Sequence, residues 1–342
     1  MKPFKSVLLL FMFIALAKTS FCQDVNFSQF YDIPLLRNPA LAGIFTGDVR
    51  ITAAYRNQWE SVTTPYRTMA LGIEFKRAIA DNGDYFTYGV QITKDLAGDS
   101  RLSRTQVFPV VNYHKSLSSE KATYLSAAFM YGPVMQQFDP SKLTFDDQFI
   151  GGTYSSSNPT HQTFSNTKLT YWDPAVGLCY SSVVGEATSY YIGAGLFHFT
   201  KPKVAFQKQN DVSLNLKYVL NAGFSAPIND VNRAVFYADY FSQGGSSQGQ
   251  GGFMVTHDLD QRDDLQKLSI SAGLFYRYKD AFIPVIKLDC YQMSLGMTYD
   301  VNTSKLKAAS QSRGGFELTL NYKAFSHRRN SSADMVRCPH FF

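Results

Sequence analysis

Between Met69 and Ile92 the chain alternates apolar with small or polar residues twice over, the two runs being joined by one turn. Met69, Leu71, Ile73 and Phe75 share one face of the first run, opposite Thr68, Ala70, Gly72, Glu74 and Lys76. In the second run Phe86, Tyr88, Val90 and Ile92 oppose Thr87, Gly89, Gln91 and Thr93. Side chains of a strand alternate faces with period two, so each run is a strand of about ten residues with one oily and one wettable side. That length and pattern suit a tilted strand crossing an outer membrane. A soluble sandwich could supply one such hairpin, but the pattern recurs to the end of the chain. Leu268, Ile270, Ala272, Leu274, Tyr276 and Tyr278 oppose Ser269, Ser271, Gly273 and Arg277, with Phe275 breaking the inward face. Tyr291, Met293, Leu295, Met297 and Tyr299 oppose Gln292, Ser294, Gly296 and Thr298, and Phe316, Leu318, Leu320 and Tyr322 oppose Glu317, Thr319 and Asn321.

Fourteen candidate strands result, at 49 to 58, 66 to 77, 84 to 94, 103 to 114, 122 to 132, 168 to 182, 188 to 199, 213 to 225, 233 to 242, 248 to 258, 266 to 278, 280 to 288, 290 to 300 and 313 to 323. An even count suits an all-β fold, a closed antiparallel transmembrane β-barrel. The pairs around Asp280 and Asp289 fit less well, which leaves twelve or sixteen strands open. Connections after even strands are short, as at Ile228-Asn229-Asp230, whereas 133 to 167 and 200 to 212 are long. Outer-membrane barrels keep short turns in the periplasm and long loops outside, so both termini are expected on the periplasmic side. Glu74, Lys76, Lys217, Asp239, Arg277 and Glu317 fall on the polar face and read as a solvated interior wall. A barrel this wide encloses more than its own side chains fill. The segment 23–48, with Phe27, Phe30, Tyr31, Ile33, Leu35 and Leu36, is either a plug or a periplasmic arm packed beneath the barrel.

The ends divide the remainder. Lys2 and Lys5 precede an unbroken apolar stretch from Val7 to Ala17 and then Lys18-Thr19-Ser20-Phe21-Cys22. That stretch is short of the roughly twenty residues a membrane helix needs, so 1–22 reads as a cleaved signal peptide. Acylation of Cys22 is the rival, with bulky Phe21 against it. Removing the leader takes three lysines and lowers the formal charge from +6 to about +3. No lysine or arginine run exceeds Arg328-Arg329, which is not the footprint of a nucleic-acid partner. The barrel spans 49–323, and 324–342 is expected to be a periplasmic tail. Its terminal Phe342 is a candidate barrel-insertion signal. Cys179, Cys290 and Cys338 make neither a disulfide framework nor a zinc site by spacing, so no metal or other cofactor is expected. The six histidines lie outside Gly-x-Ser-x-Gly and His-Glu-x-x-His contexts, and His257-Asp258 is the least implausible catalytic cluster, so no enzyme is expected.

Phe27-Ser28-Gln29-Phe30-Tyr31, Asn38-Pro39-Ala40-Leu41-Ala42-Gly43 and Tyr55-Arg56-Asn57-Gln58-Trp59 follow one another at the start of the mature chain. Phe145-Asp146-Asp147-Gln148-Phe149, Trp172-Asp173-Pro174-Ala175-Val176-Gly177 and the closing Cys338-Pro339 come later. In order and spacing the chain resembles the PorP/SprF family of type IX secretion system outer-membrane proteins. The resemblance implies a Bacteroidetes barrel, integral to the outer membrane and its lipid. It would assist secretion or surface attachment of a large protein, such as a gliding adhesin with a C-terminal secretion domain, alongside other secretion and motility components. Pro174 and the Ser/Thr/Asn-rich stretch 151 to 165 depart from that pattern and bear on cargo choice.

Candidate residues follow. Asn38 before Pro39 is biased to extended or turn backbone, and Gly43 can take positive φ, so 38 to 43 is expected to turn the chain into the barrel. Arg56 and Trp59 lie near one interface, where the arginine bonds carbonyls of a plug or simply snorkels beside an aromatic girdle. Asp146, Asp147, Gln148 and Phe149 lie on a surface loop as candidate partner contacts, with too few ligands for calcium. The alternative function is an outer-membrane channel or hydrophobic-substrate transporter. The inward Ser, Thr, Gly, Asn and Gln argue against an oily tunnel but not against a water-filled pore.

Overall fold

The computed structural model describes residues 24–325 apart from 61–63, 80–82, 119–121, 186, 207–211, 261–267 and 305–309. The expected leader and residues 326–342 of the expected tail, Cys338 and Phe342 among them, lie outside the described residues.

The strands are β1 (Val49–Gln58), β2 (Tyr66–Ala78), β3 (Tyr85–Ala97), β4 (Leu102–Ser116), β5 (Thr123–Gln137), β6 (Phe149–Ile150), β7 (Thr153–Tyr154), β8 (Lys168–Val184), β9 (Thr188–Phe197), β10 (Lys217–Pro227), β11 (Asn232–Gln243), β12 (Ser246–Asp260), β13 (Leu268–Arg277), β14 (Ala281–Cys290), β15 (Met293–Asn302) and β16 (Arg313–Ala324). Fourteen of them, all but β6 and β7, close into one barrel in which sequence neighbours pair antiparallel. The ring is sealed by β1 against β16, in register from Val49↔Ala324 to Gln58↔Gly315. β6 and β7 form a small separate ladder in the connection between β5 and β8.

All fourteen candidate strands are present, with shifted ends. The one expected from 213 begins at Lys217, because Ser213 is instead bridged to Lys203 within the connection from β9. The strand expected at 290 begins at Met293, because Tyr291 takes φ 56° in a turn. Outward residues such as Met69, Leu71, Ile192, Leu220 and Ile286 are exposed, as an outer wall in lipid requires. Aromatic stacks punctuate that wall, among them Tyr131 on Trp172 and Phe75 on Tyr88.

One end of the barrel carries Val49, Ala324 and the short connections at 79–84, 117–122, 185–187, 228–231 and 291–292. The other carries the long connections 138–167 and 198–216. Residues 24–48 run inside the ring between these two ends. Pro34 and Pro39 each open a short helical piece, α1 (Pro34–Arg37) and the 3-10 turn Pro39–Leu41, where the fixed φ of proline is already helical. The apolar side chains of this segment meet the ring's inward face. Tyr31 stacks on Tyr237 and on Phe275, with ring centroids 5.1 Å apart in both pairs, and Phe30 meets Phe275 edge-on at 5.6 Å. Phe275, the break in the polar face, thus serves the inner segment.

Candidate functional site

Residues of the inner segment bond to the wall at several heights, and the segment turns back on itself, since the Asp239 held by Arg37 is the register partner of the Gln250 held by Asn26. At the long-loop end Asp24 accepts from Arg104 at 2.7 Å and meets His198 Nε2 at 2.7 Å and Lys217 at 3.4 Å, while its backbone N–H donates to Gln243 at 3.3 Å. His198 Nδ1 faces Asp173 at 2.6 Å. Below this cluster, Arg56 bonds the carbonyl of Asn26 and lies 3.1 Å from both Asp300 and Glu317. Glu317 accepts the backbone N–H groups of Ser28 at 2.7 Å and Gln29 at 2.8 Å, and Arg277 bonds Ser28 Oγ and Asp300. Lys287 donates to Asp32 at 2.7 Å. Arg37 grips Asp239 with two bonds, Nε to Oδ2 at 2.7 Å and Nη2 to Oδ1 at 2.5 Å, and lies over the Phe30 ring. Towards the short-turn end Asn112 donates to the carbonyls of Ala40 and Ala42, Glu74 accepts the Gly43 N–H at 2.9 Å, and Lys76 donates to Phe45 O at 2.8 Å. The Asp48 N–H meets Ala324 O at 2.8 Å, and β1 begins.

The wall charges Glu74, Lys76, Lys217, Asp239, Arg277 and Glu317 face inward, but the expected solvated wall is corrected: all six are buried. The inner segment has displaced the water that would have hydrated them, so each ion needs a partner in place.

Asn38 is extended at φ −161°, caps the following turn by accepting from Ala40 N at 2.9 Å, and rests on a floor of glycines where a methyl at Gly177 would collide with its Oδ1. Gly43 has φ +79°, a backbone that a side chain strains, and sits against Thr87 and His114. Residues 38–43 therefore lie within the lumen against β4, β5, β8 and β9, and the chain enters β1 through 44–48. Trp59, at φ 62°, packs on Tyr66.

The loop candidates divide into two kinds. Asp146–Gln148 form a 3-10 turn in which Asp147 accepts from His161 N at 2.7 Å and Thr160 Oγ1 at 3.1 Å. These bonds, the backbone one first, hold the Asp147 carboxyl below its ordinary range. Gln148 is buried and clasps Asn158 through bonds of 3.1 and 2.9 Å. Asp147 and Gln148 thus shape the loop, whereas Asp146 is exposed and Phe149 and Ile150 stand out at 58% and 62% exposure. Phe138 meets Phe164 and Phe206 edge-on beneath them.

The mouth cluster of Asp24, Arg104, Asp173, His198 and Lys217 was not legible from spacing, since Asp24 and His198 are 174 positions apart. Asp173 alone lay within a quoted motif. Burial pulls the His198 imidazole down, but Asp24 and Asp173 outweigh it and raise the group to about 9. A raised folded value stabilises fully below the unfolded value, about 6.5, and is lost as pH rises through about 9. The thermal unfolding midpoint should therefore fall on titration from about pH 7 to about pH 10 by more than in His198→Gln, whose side chain does not titrate.

A family model described as type IX secretion system membrane protein PorP/SprF matches residues 19–322. A search of curated proteins finds no match. Among solved structures, the Pseudomonas putida toluene transporter TodX aligns with a TM-score of 0.50 at 9% identity, over 85% of this chain and 93% of its own. The CymD monoaromatic hydrocarbon channel aligns with a TM-score of 0.46 at 12% identity, over 87% of this chain and 94% of its own. TodX shares the fold of an outer-membrane barrel, and family and fold point to a structural or transport protein integral to the outer membrane. Matched over most of its length, the chain belongs to the PorP/SprF family of type IX secretion system membrane proteins.

Proposed function

We propose that this barrel is an accessory of the type IX secretion system that works through its surfaces rather than its lumen. It assists secretion or surface attachment of a large secreted protein, such as a gliding adhesin, by binding that protein's C-terminal signal domain or the secretion machinery. The observation that carries this reading is the inner segment, which runs inside the ring from one end to the other and is held there by buried ion pairs with the wall. An occupied, polar lumen disfavours the alternative of a channel or hydrophobic-substrate transporter. In this reading the short turns and the carboxyl end face the periplasm and the loop 138–167 faces outward. Phe149 and Ile150, the exposed apolar pair on that loop, are the contact for the partner, with Asp146 beside them.

Purification from outer membranes in mild detergent, followed by mass spectrometry, tests this. The wild type should bring a large secreted protein or type IX components. Phe149→Ser/Ile150→Ser, or deletion of 151–165, should lose that protein by at least tenfold while the barrel keeps its heat-modifiable gel mobility. Recovery of the barrel alone, with steady ion conductance in planar bilayers, would overturn the reading in favour of a channel.

A further inference from the structure

On the outward face of β2 the apolar residues Met69, Leu71, Ile73 and Phe75 are bounded by Arg67 towards one rim and Arg77 towards the other. In a strand tilted by about 40° the interval between the two arginines rises about 25 Å, the height of the apolar band of an outer-membrane barrel. Arg67 therefore marks the edge of the band at the long-loop end. Trp59, which packs on Tyr66 with ring centroids 4.9 Å apart, stands at the same end, as aromatic side chains at a membrane interface do.

Two further cations share this part of the outer wall. Lys94 of β3 is the register partner of Met69, while Arg67 is that of Leu96, so Arg67 and Lys94 are diagonal neighbours on one face, which puts them about 7–8 Å apart at the backbone. Arg313 of β16 is paired with outward Val301, because the irregularity at Tyr299/Val301 turns Arg313 rather than Gly314 to the exposed face. It lies on the far side of β1 from β2, two strand spacings or about 10 Å across. All three side chains are exposed, and among the described residues none of them is held by a carboxylate. The wall carboxylates of this end are turned into the lumen, Asp95 to Thr68, Asp300 to Arg56 and Arg277, and Glu317 to Arg56. In the adjoining connections Glu60 accepts from Asn57 Nδ2 at 2.9 Å and Asp99 accepts from Thr64 Oγ1. The outer wall across β16, β1, β2 and β3 is thus cationic at the level of the lipid head groups. Guanidinium groups meet phosphate oxygens with paired hydrogen bonds, and lysine adds a compact charge.

We propose that Arg67, Lys94 and Arg313 bind the phosphate groups of a phosphorylated glycolipid of the outer leaflet, whose acyl chains lie on Tyr55, Met69 and Phe316 directly beneath. The choice of the outer leaflet rests on the orientation in the proposed function. A lipid held by all three cations bridges β16 and β2 across β1, the strand that closes the ring.

Native mass spectrometry tests the proposal. The barrel is stripped of lipid in detergent and titrated with the phosphorylated glycolipid extracted from the same outer membrane, with that glycolipid after removal of its phosphates, and with phosphatidylglycerol. The wild type should retain the phosphorylated glycolipid, and removing the phosphates should weaken binding by about tenfold or more. Arg67→Gln/Lys94→Gln/Arg313→Gln should lose a similar factor with unchanged heat-modifiable mobility, whereas Lys168→Gln/Lys279→Gln, elsewhere on the same edge, should bind as the wild type does. Equal binding of the dephosphorylated glycolipid to the wild type, or equal weakening by the two sets of substitutions, would overturn the site. Tighter binding of phosphatidylglycerol than of the glycolipid would overturn its source. An epitope between Gly151 and Gly152 reports the orientation separately. Staining of intact cells upholds the outer leaflet, and staining only after permeabilisation would overturn it while the phosphate dependence still reports on the three cations.

Discussion

Asp239→Ala should lower the stability of the barrel by about 3–5 kcal/mol, because it strands a buried guanidinium. Arg37 directs two donors at that carboxylate, and Asn221 adds a third at 2.8 Å. Arg37 is itself buried against Phe30 and Tyr191, beside a cavity with room for about one water molecule. The loss would show as a lower midpoint in urea titrations followed by heat-modifiable mobility in detergent. Replacing the whole pair, Arg37→Met with Asp239→Leu, should recover most of it, since apolar residues of similar volume do not need a partner. A midpoint for Asp239→Ala equal to that of the wild type would mean that the pair is open to solvent and the lumen is not filled.

Glu317→Ala should do comparable damage, again about 3–5 kcal/mol, by a different route. This carboxylate accepts the N–H groups of Ser28 and Gln29 and faces Arg56 at 3.1 Å, so its removal orphans two backbone donors and leaves Arg56 with Asp300 and the Asn26 carbonyl alone. Glu317→Gln keeps an oxygen for the backbone donors and should cost less. Because these bonds hold the outer part of the inner segment, Glu317→Ala should also produce transient conductance in planar bilayers where the wild type is silent. A silent Glu317→Ala with an unchanged urea midpoint would contradict this account.

The strands were legible because alternation is a local signal. Thr68 to Lys76 and Ser294 to Thr298 announce their faces without reference to any other part of the chain. Where a strand end moved, a local backbone event intervened, as with the left-handed turn at Tyr291 or the bridge from Ser213 to Lys203. The lumen was not legible in the same way. Inward charges such as Glu317 and Asp239 look identical in sequence whether water or a peptide faces them, and their partners lie 289 and 202 positions away. The occupant was offered by the apolar residues of 23–48, as a plug or a periplasmic arm, and Phe275, which breaks a polar face, proves to pack on it. In the loop, the acidic pair looked like one contact patch, yet Asp147 is spent on His161 and Thr160 while Asp146 stays free to meet a partner.

The continuity of the inner segment with β1 gives the barrel a mechanical character. A pull on Asp24 from the long-loop mouth passes along 24–48, rounds the corner at Asp48 and reaches Val49, where β1 is flanked on both sides by ten register pairs. The load falls along the strand axis, so the hydrogen bonds of both flanks resist together in shear instead of parting one at a time. An object attached at that mouth would be tethered to the wall of the barrel by its strongest direction.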